Sequence, residues 1–179
     1  MKSFLTFSFR ARRLKLLAAL LAFVAVAGFA QLVSAAPWSE LEPFKSRRAD
    51  VLRVLGQPVK SEPGENAAAL QFNVAGGTVK VAFVDAKFVE AKKLSPELVG
   101  TIKEIVLRHD HSSITPESLD LAHKSDFKRE DMHTEMGGAV FRNLKRGLVY
   151  TFIGGRLKTT YYTASTDQFA RAQKKNAGK

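Results

Sequence analysis

His109, Asp110 and His111 are the residues of this chain whose types and spacing come nearest to metal chemistry. In an extended strand, positions i and i+2 project to the same side, so the imidazoles of His109 and His111 can converge on one ion. His123 or His133 would then complete the shell from a polar loop. The His-x-His spacing is the whole signal, and the competing expectation is a polar strand end running into a loop. Asp120, Asp126, Glu130, Asp131 and Glu135 supply carboxylates at irregular intervals. Paired carboxylates do acid–base work, but this spacing reads as a solvated surface. Ser112 and Ser113 neighbour the histidines without any signature of an oxyanion hole. No GxSxG, HExxH, phosphate loop or dinucleotide fingerprint occurs. The expectation is a chain that is not an enzyme and needs no cofactor.

Tyr150, Phe152, Tyr161 and Tyr162 offer a different chemistry, with Arg142, Arg156 and Lys158 nearby. Aromatics and arginines on an open sheet face are the side chains that anchor protein interfaces. Tyr150, Arg156, Tyr161 and Tyr162 are therefore the candidate binding residues. The alternative is that they are half-buried sheet residues under helices, because strands select aromatics in any case.

The elements that position these residues begin with the segment SRRADVLRVLGQP at 46–58. Ser46 can cap a helix, Val51, Val54 and Leu55 recur on one stripe, and Gly56 and Pro58 stop it. Upstream, Lys2, Arg10, Arg12, Arg13 and Lys15 precede the uncharged run 16–30, and Ser34-Ala35-Ala36 supplies small residues. This is the pattern of a secretory signal peptide cleaved after Ala36, with an uncleaved N-terminal membrane anchor as the rival reading. No cysteine stands beside the cut, which excludes a lipoprotein. The chain has no cysteine at all, and an exported protein without cysteine relies on packing rather than disulfides.

The formal charge of +11 is concentrated at the ends. Residues 1–36 hold only bases, and 171–179 form a basic tail (Arg171, Lys174, Lys175, Lys179) expected to be disordered. Between them, residues 37–170 carry 19 Lys+Arg against 17 Asp+Glu, a single domain with no electrostatic reason to bind nucleic acid.

Within that domain the apolar residues alternate. Leu70, Phe72 and Val74, then Val79, Val81 and Phe83, flank Gly76-Gly77 as a β-hairpin, and TIKEIVLR at 101–108 makes a third strand. Residues 86–94 read as a helical turn or loop, and Ser95-Pro96-Glu97 as a short turn. Residues 109–137 are polar, with Leu119 and Leu121 able to dock and 125–130 able to form a short helix. Strands resume at 139–143, 147–153 and 156–163. The two sets of strands look alike, which predicts an internal duplication with repeats at 41–110 and 115–165. The fold class is α+β: tandem helix-plus-three-strand units forming one antiparallel sheet of about six strands, covered on one face by short helices.

The helix with its LG-x-P ending, followed by a three-stranded meander, resembles the small lipoprotein subunit of the outer-membrane β-barrel assembly machinery. It also resembles the β-lactamase inhibitor protein, which carries two such units in tandem. LEPFKSRRADVLRVLGQP at 41–58, TIKEIVL at 101–107 and GLVYTF at 147–152 further resemble a set of bacterial exported proteins of unassigned function. The resemblance implies a fold; its motifs are structural and carry no activity. Together these readings predict a periplasmic or secreted, non-catalytic module that binds an envelope or secreted protein. The alternative is a metal- or small-ligand-binding protein built on His109 and His111.

Overall fold

The computed structural model describes residues 37–62 and 68–177. The expected signal segment, the Pro-Gly loop at 63–64 and Lys179 lie outside the described residues. Eight strands run β1 (Lys60–Glu62), β2 (Ala69–Val74), β3 (Gly77–Phe83), β4 (Ile102–His109), β5 (Lys128–Met132), β6 (Gly138–Asn143), β7 (Leu148–Ile153) and β8 (Arg156–Thr163). They form one antiparallel sheet in the order β1-β2-β3-β4-β8-β7-β6-β5. With helices α1 (Arg48–Leu55), α2 (Ala86–Lys92) and α3 (Thr166–Ala177), the fold is α+β.

The order describes two four-stranded meanders joined through their last strands. β4 and β8 pair antiparallel at the centre, with Val106 opposite Tyr161. Each half therefore has four strands, not three. The additions are β1, which is only three residues long, and β5, which replaces the helix expected at 125–130. Both lie at sheet edges. An edge needs shortness or charge to resist pairing with another chain, and KREDM supplies the charge on β5. Alternating polarity is weak in such strands, which is why neither was legible. The helix expected before the second set of strands is also absent; irregular turns at 110–127 take its place.

Cross-strand partners share a face, so the registers sort every strand residue. Leu70, Val81, Ile105, Tyr162, Leu148 and Asn143 form a row on one side. The two apolar clusters under the meanders lie there. α1 drops Val51 onto Leu70, Phe72, Val79, Val81 and Ile105, with Leu41 beside it. Each such side chain contributes about 1.5–3 kcal/mol when fully buried. In the second half no helix among the described residues belongs to the cluster on the sheet. Instead the 114–127 segment lays Leu121, Leu119 and Phe127 on Phe141, Phe152 and Leu157. Asn143, almost fully buried, pins that segment by donating from Nδ2 to Asp126 Oδ2 at 2.6 Å.

At one end of the sheet, Phe44, Phe88 and Phe169 meet edge-on, the closest pair 4.8 Å apart between ring centres. α2 begins at an Asp85 cap that accepts from the Phe88 amide at 2.7 Å. α3 corrects the expectation of a disordered tail: it runs to Ala177 and is docked by Phe169 and Ala172. Gln168 donates to Glu42 Oε1 at 3.0 Å, Gln173 to the Lys92 carbonyl at 3.1 Å, and Lys175 pairs with Glu97. The first helix starts one residue later than its cap suggested. Arg47 is the N-cap, its amide donating to Asp50 Oδ2, while the Ser46 hydroxyl accepts from Glu42 N.

Candidate functional site

The other side of the sheet is the more polar one among the described residues, with only Ala69, Ala82, Val140 and Val149 of its apolar side chains buried. Lys60, Gln71, Lys80, Val106, Tyr161, Val149, Arg142 and Lys128 form a row across it from edge to edge. None of the three apolar clusters includes a side chain from this row. The reason lies in the parity of the strands. In β4, Ile105 and Leu107 turn to the core, so Glu104, Val106 and Arg108 must turn away.

A depression of about 380 Å³ lies on the open face over β2, β3, β4 and β8. Glu62, Gln71, Lys80, Glu104, Arg108 and Tyr161 line it. Lys80 Nζ donates to Glu62 Oε1 at 2.8 Å, and that bond holds the Glu62 carboxyl below its usual range. Arg142 pairs similarly with Glu130 at 3.1 Å farther along the face. At the centre, Glu104 and Arg108 have no side-chain hydrogen bond or ion pair among the described residues. A carboxylate and a guanidinium without partners therefore stand on one strand, with Val106 and Tyr161 between them. Four residues of strand separate them by about 13 Å. An aromatic anchor flanked by charges of both signs suits a protein surface of matching pattern.

The four candidate binding residues do not share a surface. Tyr161 is on the open face. Tyr162 is on the opposite side, packed against the core under α1. Tyr150 is on that side too, stacked on Phe127 with ring centres 5.7 Å apart. Burial pushes both phenols upward: for Tyr150 the nearby Arg146 opposes the effect, and for Tyr162 the neighbouring Tyr150 adds to it. Arg156 is the first residue of β8 and donates to the Ser113 carbonyl at 2.8 Å, fastening the irregular segment. Adjacent tyrosines in a strand face opposite ways, so at most one of Tyr161 and Tyr162 could be open.

The candidate metal ligands are also separated. His109 is half-buried on the core side, its Nε2 3.0 Å from Thr160 Oγ1, and burial lowers its pKa. His111 is exposed in the bend after β4, where the strand has ended and the i, i+2 rule no longer applies. Among the described residues no three His, Asp or Glu side chains are grouped to hold a metal ion.

Glu104, Val106 and Arg108 escaped the reading of the sequence, although the alternation in TIKEIVLR contained them. Which face is open depends on where α1 and the 114–127 segment pack, and strand parity does not state that. Among the described residues no helix is long and apolar enough to cross a membrane.

The sequence matches no protein-family model and no curated protein. Among solved structures the chain is similar to a DUF4309 family protein (YjgB) from Bacillus subtilis subsp. subtilis str. 168. The two are 16% identical, the match covers 74% of this chain and 88% of that chain, and the TM-score is 0.46. At that level the likeness carries no argument about function.

Proposed function

We propose that this chain is an exported, non-catalytic protein-binding module of the bacterial cell envelope, which engages its partner through the open face of the sheet. One observation carries the reading: Tyr161 lies between Glu104 and Arg108, which have no side-chain partner among the described residues, on a face that none of the three apolar clusters found among those residues covers. Sheets bury one face for stability, and a second face with an aromatic anchor and unspent charges is available for another protein. Export is supported by the basic, apolar and small-residue order of residues 1–36.

The experiment is a crosslinked pull-down of the tagged full-length chain from the envelope of its own host. The reading expects one stoichiometric protein partner, lost in Tyr161→Ala and retained in Arg53→Ala on the exposed side of α1. Recovery of the bait alone, or a partner that Tyr161→Ala leaves in place, would count against it.

A further inference from the structure

The charges at the centre of the open face are disposed about a line. Lys80, Val106, Tyr161 and Val149 lie along it, across the strands. On β4, Glu104 stands two residues to one side of this line and Arg108 two residues to the other, both on the open face with Val106. A half-turn about an axis laid along the line, just above the face, sets the sheet against a copy of itself and exchanges the two sides. Glu104 of each copy then faces Arg108 of the other. Val106 and Tyr161 fall on the axis and meet their own counterparts. Lys80 and Arg142 fall on it too, but they already hold the carboxylates of Glu62 and Glu130. Lys60 and Lys128 end the row at the two sheet edges, where a lysine extends into solvent. The other two-fold arrangement, about an axis along the strands between β4 and β8, sets Glu104 on Thr163 and Arg108 on Thr159. It leaves both charges without a partner.

We propose that the partner on the open face is a second copy of this chain, stacked sheet on sheet about the axis across the strands. This rests on the open-face reading above and names its partner. Charge complementarity selects this occupant. Glu104 and Arg108 have no side-chain partner among the described residues, and the same two residues in reverse order supply one for each. A two-fold interface presents one patch twice, so it forms both pairs at once. The guanidinium fork suits a carboxylate in the bidentate manner. Facing sheets keep their strands aligned to within about 30°, so β4 runs antiparallel along the other β4 and holds the two pairs in register. Eight strands about 4.8 Å apart and five residues of about 3.4 Å each make a face of about 650 Å². Two copies therefore cover about 1,300 Å², the lower end of specific interfaces and the size of a reversible dimer.

The protein is purified from its own host and its association followed by sedimentation equilibrium. The proposal expects a reversible equilibrium between monomer and dimer. Glu104→Arg and Arg108→Glu each put two like-charge contacts in the interface. Each is expected to weaken dimerisation at least tenfold, with unchanged circular dichroism. Mixing the two variants in equal amounts is expected to restore association, because every contact of the mixed pair joins opposite charges. Only a geometry that lays position 104 of one copy on position 108 of the other gives that rescue.

A wild-type protein that stays monomeric at millimolar concentration overturns the proposal. So does a dimer indifferent to both substitutions, or a mixture that associates no better than its components. The two readings fail separately. A monomer whose open face captures a different protein, lost in Tyr161→Ala, sinks only the second copy; a monomer whose partner survives Tyr161→Ala sinks the open face itself.

Discussion

Gly77 lies directly against the carbonyl oxygen of Arg108: a Cβ built on it would stand 1.8 Å from that oxygen. Gly147 holds the same relation to Thr163, at 2.0 Å. With Val106 opposite Tyr161 at the centre of the sheet, Arg108 and Thr163 are equivalent positions of the two meanders. β3 thus begins with a glycine, and β7 directly follows one, that lets it close on a central strand. At the first of these sites the close approach also fixes β4 where it presents Arg108.

Gly77→Ala should therefore cost far more than Gly76→Ala. Gly76 has a positive φ but nothing within 4 Å of an added Cβ, so its cost is that of the left-handed backbone, about 1–2 kcal/mol. Gly77→Ala adds a backbone collision that only displacement of β3 from β4 relieves, for a total of about 3 kcal/mol or more. Urea unfolding of the two variants compares them; equal midpoints would contradict the structural assignment.

Phe169→Ala should release α3 without unfolding the sheet. Phe169 meets Phe44 and Phe88 but belongs to neither of the cores under the two meanders. The expected loss is about 2–3 kcal/mol, below that of a fully buried phenylalanine. Limited proteolysis should cut first within 166–177, leaving a resistant fragment; simultaneous loss of the whole domain would show that α3 is part of the main cooperative unit.

This helix marks where the sequence ceased to be legible. Only Phe169 and Ala172 make its apolar stripe, against a background of Arg171, Lys174 and Lys175, and the residues it docks on and bonds to lie 78 to 126 positions away. The first helix was legible because its punctuation and stripe are local. The three-strand patterns around Gly76-Gly77 and Gly154-Gly155 were legible for the same reason. The candidate site was half visible. Tyr161 stood out by type, but Glu104 and Arg108 acquire meaning only once β8 is placed beside β4, a pairing across more than fifty residues.

His109 should make stability fall as the solution is acidified through the histidine range. Burial lowers its folded pKa below that of the unfolded chain. The unfolded state therefore binds the proton first, and stability declines as pH drops through about 6.5 toward the folded value, below which no further loss accrues from this group. His109→Gln, which can keep a hydrogen bond to Thr160, should flatten the urea midpoint between pH 7.5 and 5.5. An unchanged slope would place the titration on another residue.

The open face is the central claim, and site-specific photocrosslinking in the native host tests it most directly. A photoreactive amino acid is placed at Val106 or Thr159 on that face, and at Arg53 on the exposed side of α1. The account predicts one defined protein adduct from the first two positions and none from the third. Adducts confined to Arg53, or no protein adduct from either open-face position, would contradict it.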